Sequence, residues 1–266
     1  MPGLPYRNDM SEKRPLILIV NDDGYAAKGL EAMVEIAKPL GEIAVVVPDR
    51  TRSGMGHAIT MNEPLRLTNY KNEDGVAYYK TNGTPVDCVK LGEKVVLRDR
   101  EIDLVLSGIN HGSNSSVSLI YSGTMAAAIE ASFDNIPSVG LSLLDYSADA
   151  DFTAAVHFGR PIVEKVLKEG LPPHICLNVN FPNVPIAEIK GIRITRQCQA
   201  TWHEDLQERT DPYGRKYYWL TGWLERLEQE EDTCEWALQH NYISIQPVQY
   251  DLTAHQYIKS LKFLEL

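Results

Sequence analysis

Short, uninterrupted runs of aliphatic residues constrain the fold of this chain more than any other feature. Leu16–Val20 (LILIV) and Ile43–Val47 (IAVVV) have no polar residue to face solvent. Such runs are typical of strands that are covered on both faces in a parallel sheet. Between them, Gly29–Leu40 carries apolar residues at helical spacing. This strand–helix–strand order predicts a βαβ unit.

The same alternation continues along the chain. Further strands are predicted at Asp103–Leu106, Ser138–Ser142, Ile175–Asn180, Gly191–Thr195 and Tyr242–Val248, and further helices at residues 85–97, Thr124–Phe133 and Phe152–Glu169. Alternating strands and helices predict an α/β fold, a three-layer doubly wound sheet that is mostly parallel. After about Arg196 the pattern changes. The turn sequence at Asp211–Gly214 (DPYG) predicts a β-hairpin arm, and Ala254–Phe263 predicts a terminal helix.

Length and patterning suggest one large domain with extensions. We expect a disordered lead-in at residues 1–14, an α/β core at 15–196, and a hairpin arm with a C-terminal extension of the same domain at 197–266. Aromatic residues beside the hairpin turn (Tyr213, Tyr217, Tyr218 and Trp219) predict that this arm is used in oligomerisation. The acidic run Glu225–Glu235 is predicted to be a solvated loop. Cys88 and Cys176 lie in apolar settings, which predicts core positions.

Composition excludes several classes of partner. The net charge of −10 argues against binding to a nucleic-acid duplex or an anionic membrane, since both require clustered basic residues. The four cysteines form no CxxC motif, which favours a reducing cytoplasm over a disulfide framework or a zinc site. No apolar run has the length of a membrane span.

Polar, glycine-containing segments follow three of the predicted strands. Residues 21–24 (NDDG), 48–54 (PDRTRSG) and 107–114 (SGINHGSN) should meet at the carboxyl edge of the sheet, where ligands bind in such folds. The adjacent carboxylates of Asp22 and Asp23 repel each other unless a proton or a cation lies between them. Ser53 and Asn110 can add neutral oxygens. A helix cap and a turn residue are the alternative roles for the acidic pair, but three converging loops favour a divalent ion such as Mg²⁺ or Mn²⁺.

A second candidate feature lies at the start of the alanine-rich helix. Ser122, Gly123 and Thr124 open it, so backbone N–H groups and two hydroxyls there can bind an anion; an ordinary helix cap is the alternative. His111 lies nearby, either for proton transfer or as a hydrogen-bonding loop residue. The sequence contains no GxxxxGK[ST], GxGxxG or GxSxG motif.

These motifs resemble one known family in order and spacing. LIVNDDG, PDRTRSGMGHAIT, TNGTPVDCV, LVLSGINHGSN and IYSGTMAAAIEA are similar to the SurE (survival protein E) family of metal-dependent 5′/3′-nucleotidases. The resemblance implies a Rossmann-like core, a dimer or tetramer, and hydrolysis of nucleoside monophosphates, with short polyphosphate as a substrate of some members. Residues 115–120 (SSVSLI) depart from the family pattern, in which this gap contains a glycine and acidic residues.

Carried over by motif, the resemblance assigns roles to individual residues. Asp22, Asp23, Ser53 and Asn110 would hold one divalent ion, Mg²⁺ or Mn²⁺ with Co²⁺ as a third candidate. Asn114 and the turn Ser122–Thr124 would hold the phosphate, and Asp22 and Asn114 would act in catalysis. Two other classes remain as alternatives: a receiver-like Mg²⁺-binding phosphoacceptor domain and a haloacid-dehalogenase-type phosphatase. The first lacks a suitably placed phosphoacceptor and lysine, and the second requires a DxD spacing.

Overall fold

The computed structural model describes residues 14–265. The predicted lead-in therefore lies outside the described residues, except for Arg14. The guanidinium of Arg14 donates hydrogen bonds of 2.9 Å to the carbonyls of Lys38 and Gly41. The boundaries drawn at residues 14 and 196 remain predictions.

Strands and helices alternate through most of the described chain. The strands are β1 (Leu16–Val20), β2 (Glu42–Pro48), β3 (Leu67–Glu73), β4 (Val76–Thr81), β5 (Leu104–His111), β6 (Ser138–Leu143), β7 (Ile175–Phe181), β8 (Gly191–Ile194), β9 (Ala200–Thr210), β10 (Lys216–Arg226) and β11 (Tyr242–Gln249). The α-helices are α1 (Lys28–Ala37), α2 (Pro85–Leu91), α3 (Ser118–Tyr121), α4 (Gly123–Phe133), α5 (Thr153–Glu169) and α6 (Cys234–Gln239).

One large sheet organises the fold. Within residues 14–265 its nine strands follow the order β3-β4-β2-β1-β5-β6-β7-β11-β8. The neighbours from β4 to β7 run parallel, as do β11 and β8, while β3 and β11 run antiparallel to β4 and β7 respectively. The predicted mostly parallel α/β sheet is confirmed.

The uninterrupted composition of β1 follows from its central place in this sheet. Ile17 and Ile19 pack on the face covered by α1 and α5, whereas Leu16, Leu18 and Val20 pack on the face covered by α2 and α4. Because successive side chains of a strand point to opposite faces, a strand with helices on both sides needs apolar residues throughout. Full burial of each such side chain contributes roughly 1.5–3 kcal/mol. The predicted core positions of Cys88 and Cys176 are confirmed, since neither side chain is exposed.

The helix predicted after Thr84 is shorter than expected. Thr84 caps α2 in a complete capping box with Asp87, as the sequence indicates. The α-helix ends at Leu91 and continues as a π-helical turn, Gly92–Val96. Gly92 lies so close to Leu18 of β1 that an added Cβ would come within 2.6 Å of that side chain.

The antiparallel pair β3–β4 is absent from the sequence-based prediction. β3 is an edge strand with mostly exposed polar residues, so it lacks the apolar run that identifies the central strands. The two strands are joined by Asp74 and Gly75, whose φ angles are 50° and 80°. Asp-Gly with both φ angles positive is the residue pair that tight hairpin turns prefer, and this was the available signal.

Strand β5 is longer than predicted. The prediction placed its end at Leu106 and treated the following SGINH as a loop, but the strand continues to His111. Polar residues are accommodated there because β6 runs alongside, pairing Asn110 with Ser142 and His111 with Leu143 after a register shift. The segment is also buried up to Asn110.

Two predictions for the C-terminal region are wrong. Residues 254–263 do not form a helix: two short 3₁₀ turns, His255–Tyr257 and Lys262–Leu264, stand there with exposed side chains and no core to bury an amphipathic face. The acidic run from Glu225 to Glu235 is not one solvated loop, because it begins at the end of β10 and ends in α6 with a buried Glu235. The predicted hairpin is confirmed as β9 and β10, which pair from Ala200–Arg226 to Thr210–Lys216. Among residues 14–265, no helix combines the length and the apolar character needed to cross a bilayer.

Candidate active site

The acidic pair lies at the carboxyl end of β1, in the middle of the sheet. Asp22 is 3% exposed, and its Oδ1 accepts a 2.6 Å hydrogen bond from the hydroxyl of Thr124. Oδ2 of Asp23 accepts a 3.1 Å hydrogen bond from the backbone N–H of His111. One oxygen of each carboxylate is thus held by a different neighbouring element, α4 for Asp22 and β5 for Asp23. The alternative role of Asp22 as a helix cap does not occur, because Ala27 occupies the N-cap of α1.

The electrostatics of this pair favour a positive charge. Burial, together with the charge of Asp23, raises the pKa of Asp22 from 3.8 to about 6, and the hydrogen bond from Thr124 acts in the opposite direction. Burial also raises the pKa of Asp23, against the lowering effect of the His111 N–H. Two neighbouring desolvated carboxylates are costly to keep ionised without a proton or a cation.

The loop after β2 lies against the backbone of the acidic pair. The N–H of Arg52 donates to the carbonyl of Asp22 (2.7 Å), and the hydroxyl of Thr51 donates to the carbonyl of Asp23 (3.2 Å). Gly24 permits this approach, since an added Cβ would lie 3.1 Å from the carbonyl carbon of Arg50 and its φ is +92°. Ser53 follows directly and is exposed. The predicted convergence of this loop with the acidic pair is therefore present in the backbone.

Asn110 reaches the same edge from β5. Its Nδ2 donates a 2.7 Å hydrogen bond to the carbonyl of Gly112, which fixes the orientation of the amide. The carbonyl oxygen Oδ1 is then the atom that remains to act as a ligand. The residue is 8% exposed, so its orientation is set by the surrounding structure rather than by solvent.

The first turn of α4 lies beside Asp22. Gly123 is needed for this contact: an added Cβ would lie 2.8 Å from Cβ of Asp22 and 3.1 Å from its Oδ2. Ser122 is the N-cap, and its Oγ accepts the N–H of Met125 at 3.0 Å. The hydroxyl hydrogen of Ser122 and the N–H groups of Gly123 and Thr124 have no acceptor inside the helix, and such groups at a helix start can bind phosphate oxygens. The hydroxyl of Thr124 is directed to Asp22.

Asn114 is held in a buried amide network. Its Nδ2 donates to Ser142 (2.8 Å), its N–H donates to Oδ1 of Asn180 (2.9 Å), and its carbonyl accepts from Asn178 (2.9 Å). Asn180 in turn donates to Oδ1 of Asn178 at 2.8 Å. A side-chain amide has two N–H donors, so Asn114 can bond to Ser142 and still donate to a substrate oxygen.

The residues supporting Asn114 were missed by the sequence analysis. Asn178 and Asn180 alternate with apolar residues in β7, so both side chains lie on one face of the sheet. Both are fully buried. Two asparagines at this spacing in an otherwise apolar strand were a readable signal, because buried amides need partners.

His111 acts here as a structural link. Its backbone N–H holds Asp23, and its Nδ1 lies 2.9 Å from the carbonyl of Ser147. A carbonyl oxygen only accepts, so Nδ1 carries the proton in this contact. The ring also packs edge to face on Phe152, with centroids 5.0 Å apart. Of the two roles considered for His111, proton transfer and hydrogen bonding within the loop, the structure shows contacts for the second.

The donor set fits a hard or intermediate divalent cation. Two carboxylates, an amide carbonyl and a hydroxyl are oxygen ligands, which Mg²⁺ and Mn²⁺ prefer. Within the described part of the chain there is no group of three or more His, Cys, Asp or Glu side chains that could hold a metal ion. The predicted set contains only two such residues, so it belongs to a different, mixed-oxygen kind of site.

The fold and the site together define a doubly wound α/β protein with an acidic pair beside the start of helix α4, at the carboxyl edge of its sheet. Comparison with known proteins identifies the class more closely. The family model described as "Survival protein SurE" matches residues 17–204. A 5′-nucleotidase SurE of Cytophaga hutchinsonii is 51% identical over 248 residues, covering 93% of this chain and 96% of the relative. A 5′-nucleotidase SurE of Christiangramia forsetii is 50% identical, covering 95% and 97%.

A solved structure agrees with these relatives. The crystal structure of the SurE protein from Aquifex aeolicus is 42% identical, with a TM-score of 0.81, and the match covers 95% of this chain and 100% of that one. The chain belongs to the SurE family. The resemblance stated from the motifs is confirmed.

Proposed function

We propose that this chain is a metal-dependent nucleotidase that hydrolyses nucleoside 5′- and 3′-monophosphates to nucleoside and phosphate. The observation that carries the proposal is the contact of Asp22 with Thr124, which joins the acidic pair to the anion-binding start of α4. The named activity of the relatives, 5′-nucleotidase, supports the same reaction.

One divalent ion, Mg²⁺ or Mn²⁺ with Co²⁺ as a third candidate, would be held by Asp22, Asp23, Ser53 and Asn110. When bound, such an ion supplies charge that polarises a phosphoryl oxygen and lowers the pKa of a coordinated water. Two contacts support this set: the loop that contains Ser53 bonds to the carbonyls of Asp22 and Asp23 through Arg52 and Thr51, and Asn110 lies on β5, which pairs with β1.

Other residues of the chain would bind the phosphate and orient the attacking water. Ser122 and the N–H groups of Gly123 and Thr124 would bind the phosphate oxygens, and Asn114 would donate to an equatorial oxygen as negative charge grows there. Asp22 would orient the attacking water. The water oxygen forms the new bond to phosphorus and the ester P–O bond breaks. One proton of the water passes to the leaving alcohol oxygen, and the other stays on the phosphate. Removing one well-placed donor of this type costs roughly 10²–10³ in rate.

A receiver-like phosphoacceptor domain is not favoured. The chain belongs to a family whose relatives are named as nucleotidases, and the match extends over nearly the whole chain rather than over a receiver-sized part of it. Asp49, which follows β2, has an exposed side chain beside the loop and is not paired with a lysine in the described contacts.

A phosphate-release assay over nucleoside 5′- and 3′-monophosphates, with short polyphosphate included, tests the proposal. We expect turnover with Mg²⁺ or Mn²⁺ and its loss with EDTA. Asp23→Asn should lose most of this activity while its circular dichroism spectrum stays that of the wild type. EDTA-resistant turnover, or near-normal activity of Asp23→Asn, would overturn the metal assignment.

The proposal includes a homodimer or homotetramer in the cytoplasm. The hairpin arm exposes large apolar residues on both strands, among them Leu206, Trp219 and Leu220, each more than 60% exposed. An exposed apolar surface of this kind is usually covered by a partner. Light scattering coupled to gel filtration tests the assembly, and a monomeric mass would count against it. The four cysteines are buried free thiols, which suits a reducing compartment.

A further inference from the structure

Tyr146 is an exposed aromatic residue at the edge of the candidate active site. It lies in the segment after β6, at the same carboxyl edge of the sheet as the acidic pair. The residue is 77% exposed although an aromatic ring is costly to leave in water. The proposed reaction assigns no role to Tyr146.

The ring of Tyr146 lies flat on the backbone of Gly112. A Cβ added at Gly112 would be 2.1, 2.6 and 2.7 Å from Cε1, Cδ1 and Cζ of the ring. An edge-on approach would leave two of these three atoms distinctly farther away, so the contact is made by the face of the ring. With one face on Gly112 and most of the side chain exposed, the opposite face is open to solvent.

The backbone under the ring is fixed to the site. The N–H of Gly112 donates to the carbonyl of Leu143 (2.8 Å), and its own carbonyl accepts the amide of Asn110 (2.7 Å). Asn110 is a proposed metal ligand, so the ring covers a residue that holds a ligand side chain. A side chain at position 112 would displace the ring, and the φ of +106° also favours glycine there.

The segment that carries Tyr146 is ordered by specific hydrogen bonds. Oδ1 of Asp145 accepts the N–H of Ser147 (2.8 Å), and its Oδ2 accepts from Asn183 (3.2 Å). The carbonyl of Ser147 binds Nδ1 of His111, whose backbone N–H holds Asp23. The segment that carries Tyr146 is therefore linked to Asp23 through Ser147 and His111.

We propose that Tyr146 is the stacking platform for the nucleobase of the substrate. An open aromatic face that is fixed beside a phosphate site suits a flat, apolar ring joined to that phosphate by a sugar. Stacking on an aromatic ring depends little on which base is stacked, because every base has a π-face. We therefore expect the protein to accept both purine and pyrimidine nucleotides. The inference rests on the proposed nucleotidase function and names the part of the substrate that the chain recognises.

Tyr25 is a second exposed tyrosine near the acidic pair and offers a comparison. It follows Asp23 by two residues, but the ammonium of Lys80 lies 4.6 Å from its ring centroid and Tyr70 contacts it edge to face at 5.5 Å. Its ring is thus engaged by neighbours in the chain itself. Tyr146 is also the more exposed residue, 77% against 43%.

The experiment compares substrates that differ only in the base. KM and kcat are measured for AMP, CMP and ribose 5-phosphate with the wild type, Tyr146→Ala, Tyr146→Phe and Tyr25→Ala. We expect Tyr146→Ala to raise KM for both nucleotides by about 5- to 100-fold, which is the cost of losing one stacked base. Its kcat and its KM for ribose 5-phosphate should stay within about twofold of the wild type. Tyr146→Phe keeps the ring and should behave as the wild type.

The outcomes separate this inference from the function on which it rests. Wild-type protein that releases phosphate from none of the substrates overturns the nucleotidase proposal and the platform with it. Normal nucleotide KM values in Tyr146→Ala overturn the platform alone. Equal losses on AMP and ribose 5-phosphate also overturn it, because they indicate a structural role in holding Gly112. A base-dependent loss in Tyr25→Ala without one in Tyr146→Ala places the base on the other side of the acidic pair.

Discussion

The hydroxyl of Thr124 donates a 2.6 Å hydrogen bond to Oδ1 of Asp22. Thr124 lies in the first turn of helix α4 and Asp22 lies two residues after the end of strand β1, so this bond joins the proposed phosphate-binding turn to the proposed metal ligands. Gly123 allows the approach, since a Cβ there would come within 2.8 Å of Asp22.

Replacing Thr124 by valine should weaken metal binding. The valine keeps the shape of the side chain but removes the donor that orients the carboxylate, and loss of such a supporting hydrogen bond typically costs about 10- to 100-fold in metal affinity. Titration calorimetry with Mn²⁺ measures the change. Thr124→Ser retains the hydroxyl and should bind close to the wild-type value; equal affinity of the valine variant and the wild type would show that the bond does not position Asp22.

The raised pKa of Asp22 predicts a dependence of stability on pH. Burial and the charge of Asp23 raise this pKa from 3.8 to about 6 in the metal-free protein. A pKa that is higher in the folded state stabilises the fold fully below the unfolded value, and this contribution is lost as pH rises through the folded value. In EDTA, the contribution of Asp22 should therefore decline between about pH 4 and pH 6.

Metal should reverse this decline, because a bound cation replaces the proton between the carboxylates. The increase in Tm caused by saturating Mn²⁺ is then larger at pH 7.5 than at pH 5. Asp22→Asn, measured in EDTA, should lack the part of the pH dependence that belongs to Asp22. Identical pH dependence of Tm in this variant and the wild type would contradict the assignment.

The buried carboxylate of Glu235 connects Arg226, at the base of the hairpin arm, to the loop that contains Ser115. Oε1 of Glu235 accepts the hydroxyl of Ser115, and its Oε2 accepts Nε of Arg226 at 2.7 Å. The side chain of Glu235 is 6% exposed, whereas that of Arg226 is 43% exposed. Removing the carboxylate leaves the buried hydroxyl of Ser115 with Oγ of Ser113, 2.6 Å away, in place of a charged acceptor.

Glu235→Ala should therefore lower the free energy of unfolding by about 1–3 kcal/mol, since the pair is only partly shielded from solvent. Urea denaturation followed by circular dichroism measures it. Glu235→Gln keeps an acceptor for Ser115 and should lose less. Glu230→Gln, at an exposed position of the same acidic run, is the control and should stay within about 0.5 kcal/mol of the wild type. If Glu235→Ala lowers the free energy of unfolding no more than the control does, the contact does not stabilise the fold.

The sequence predicts the centre of this sheet better than its edges. In β1 each of five consecutive residues packs on one or other covered face, so composition alone identifies the strand. The edge strand β3 is exposed and polar, and only the Asp74-Gly75 turn marks it. At the C-terminus, the spacing of apolar residues in 254–263 suggested a helix, but no part of the fold covers that face, and packing rather than propensity stabilises most helices.

The residues of the candidate site also differ in how well the sequence predicts them. Asp22 and Asp23 follow the most recognisable strand of the chain, so their position could be predicted from topology. The partner of Glu235 could not, because Ser115 is 120 residues away in the sequence and no local pattern links the two. The acidic composition of 225–235 pointed to solvent, and only the fold shows that its last member is buried.

Anomalous diffraction from crystals soaked in Mn²⁺ tests the central claim most directly. The account predicts a single strong peak within bonding distance of the carboxylates of Asp22 and Asp23 and of Oδ1 of Asn110, and no such peak in crystals of Asp23→Asn. The absence of density between these side chains in the wild type, or a peak only elsewhere on the molecule, would contradict it.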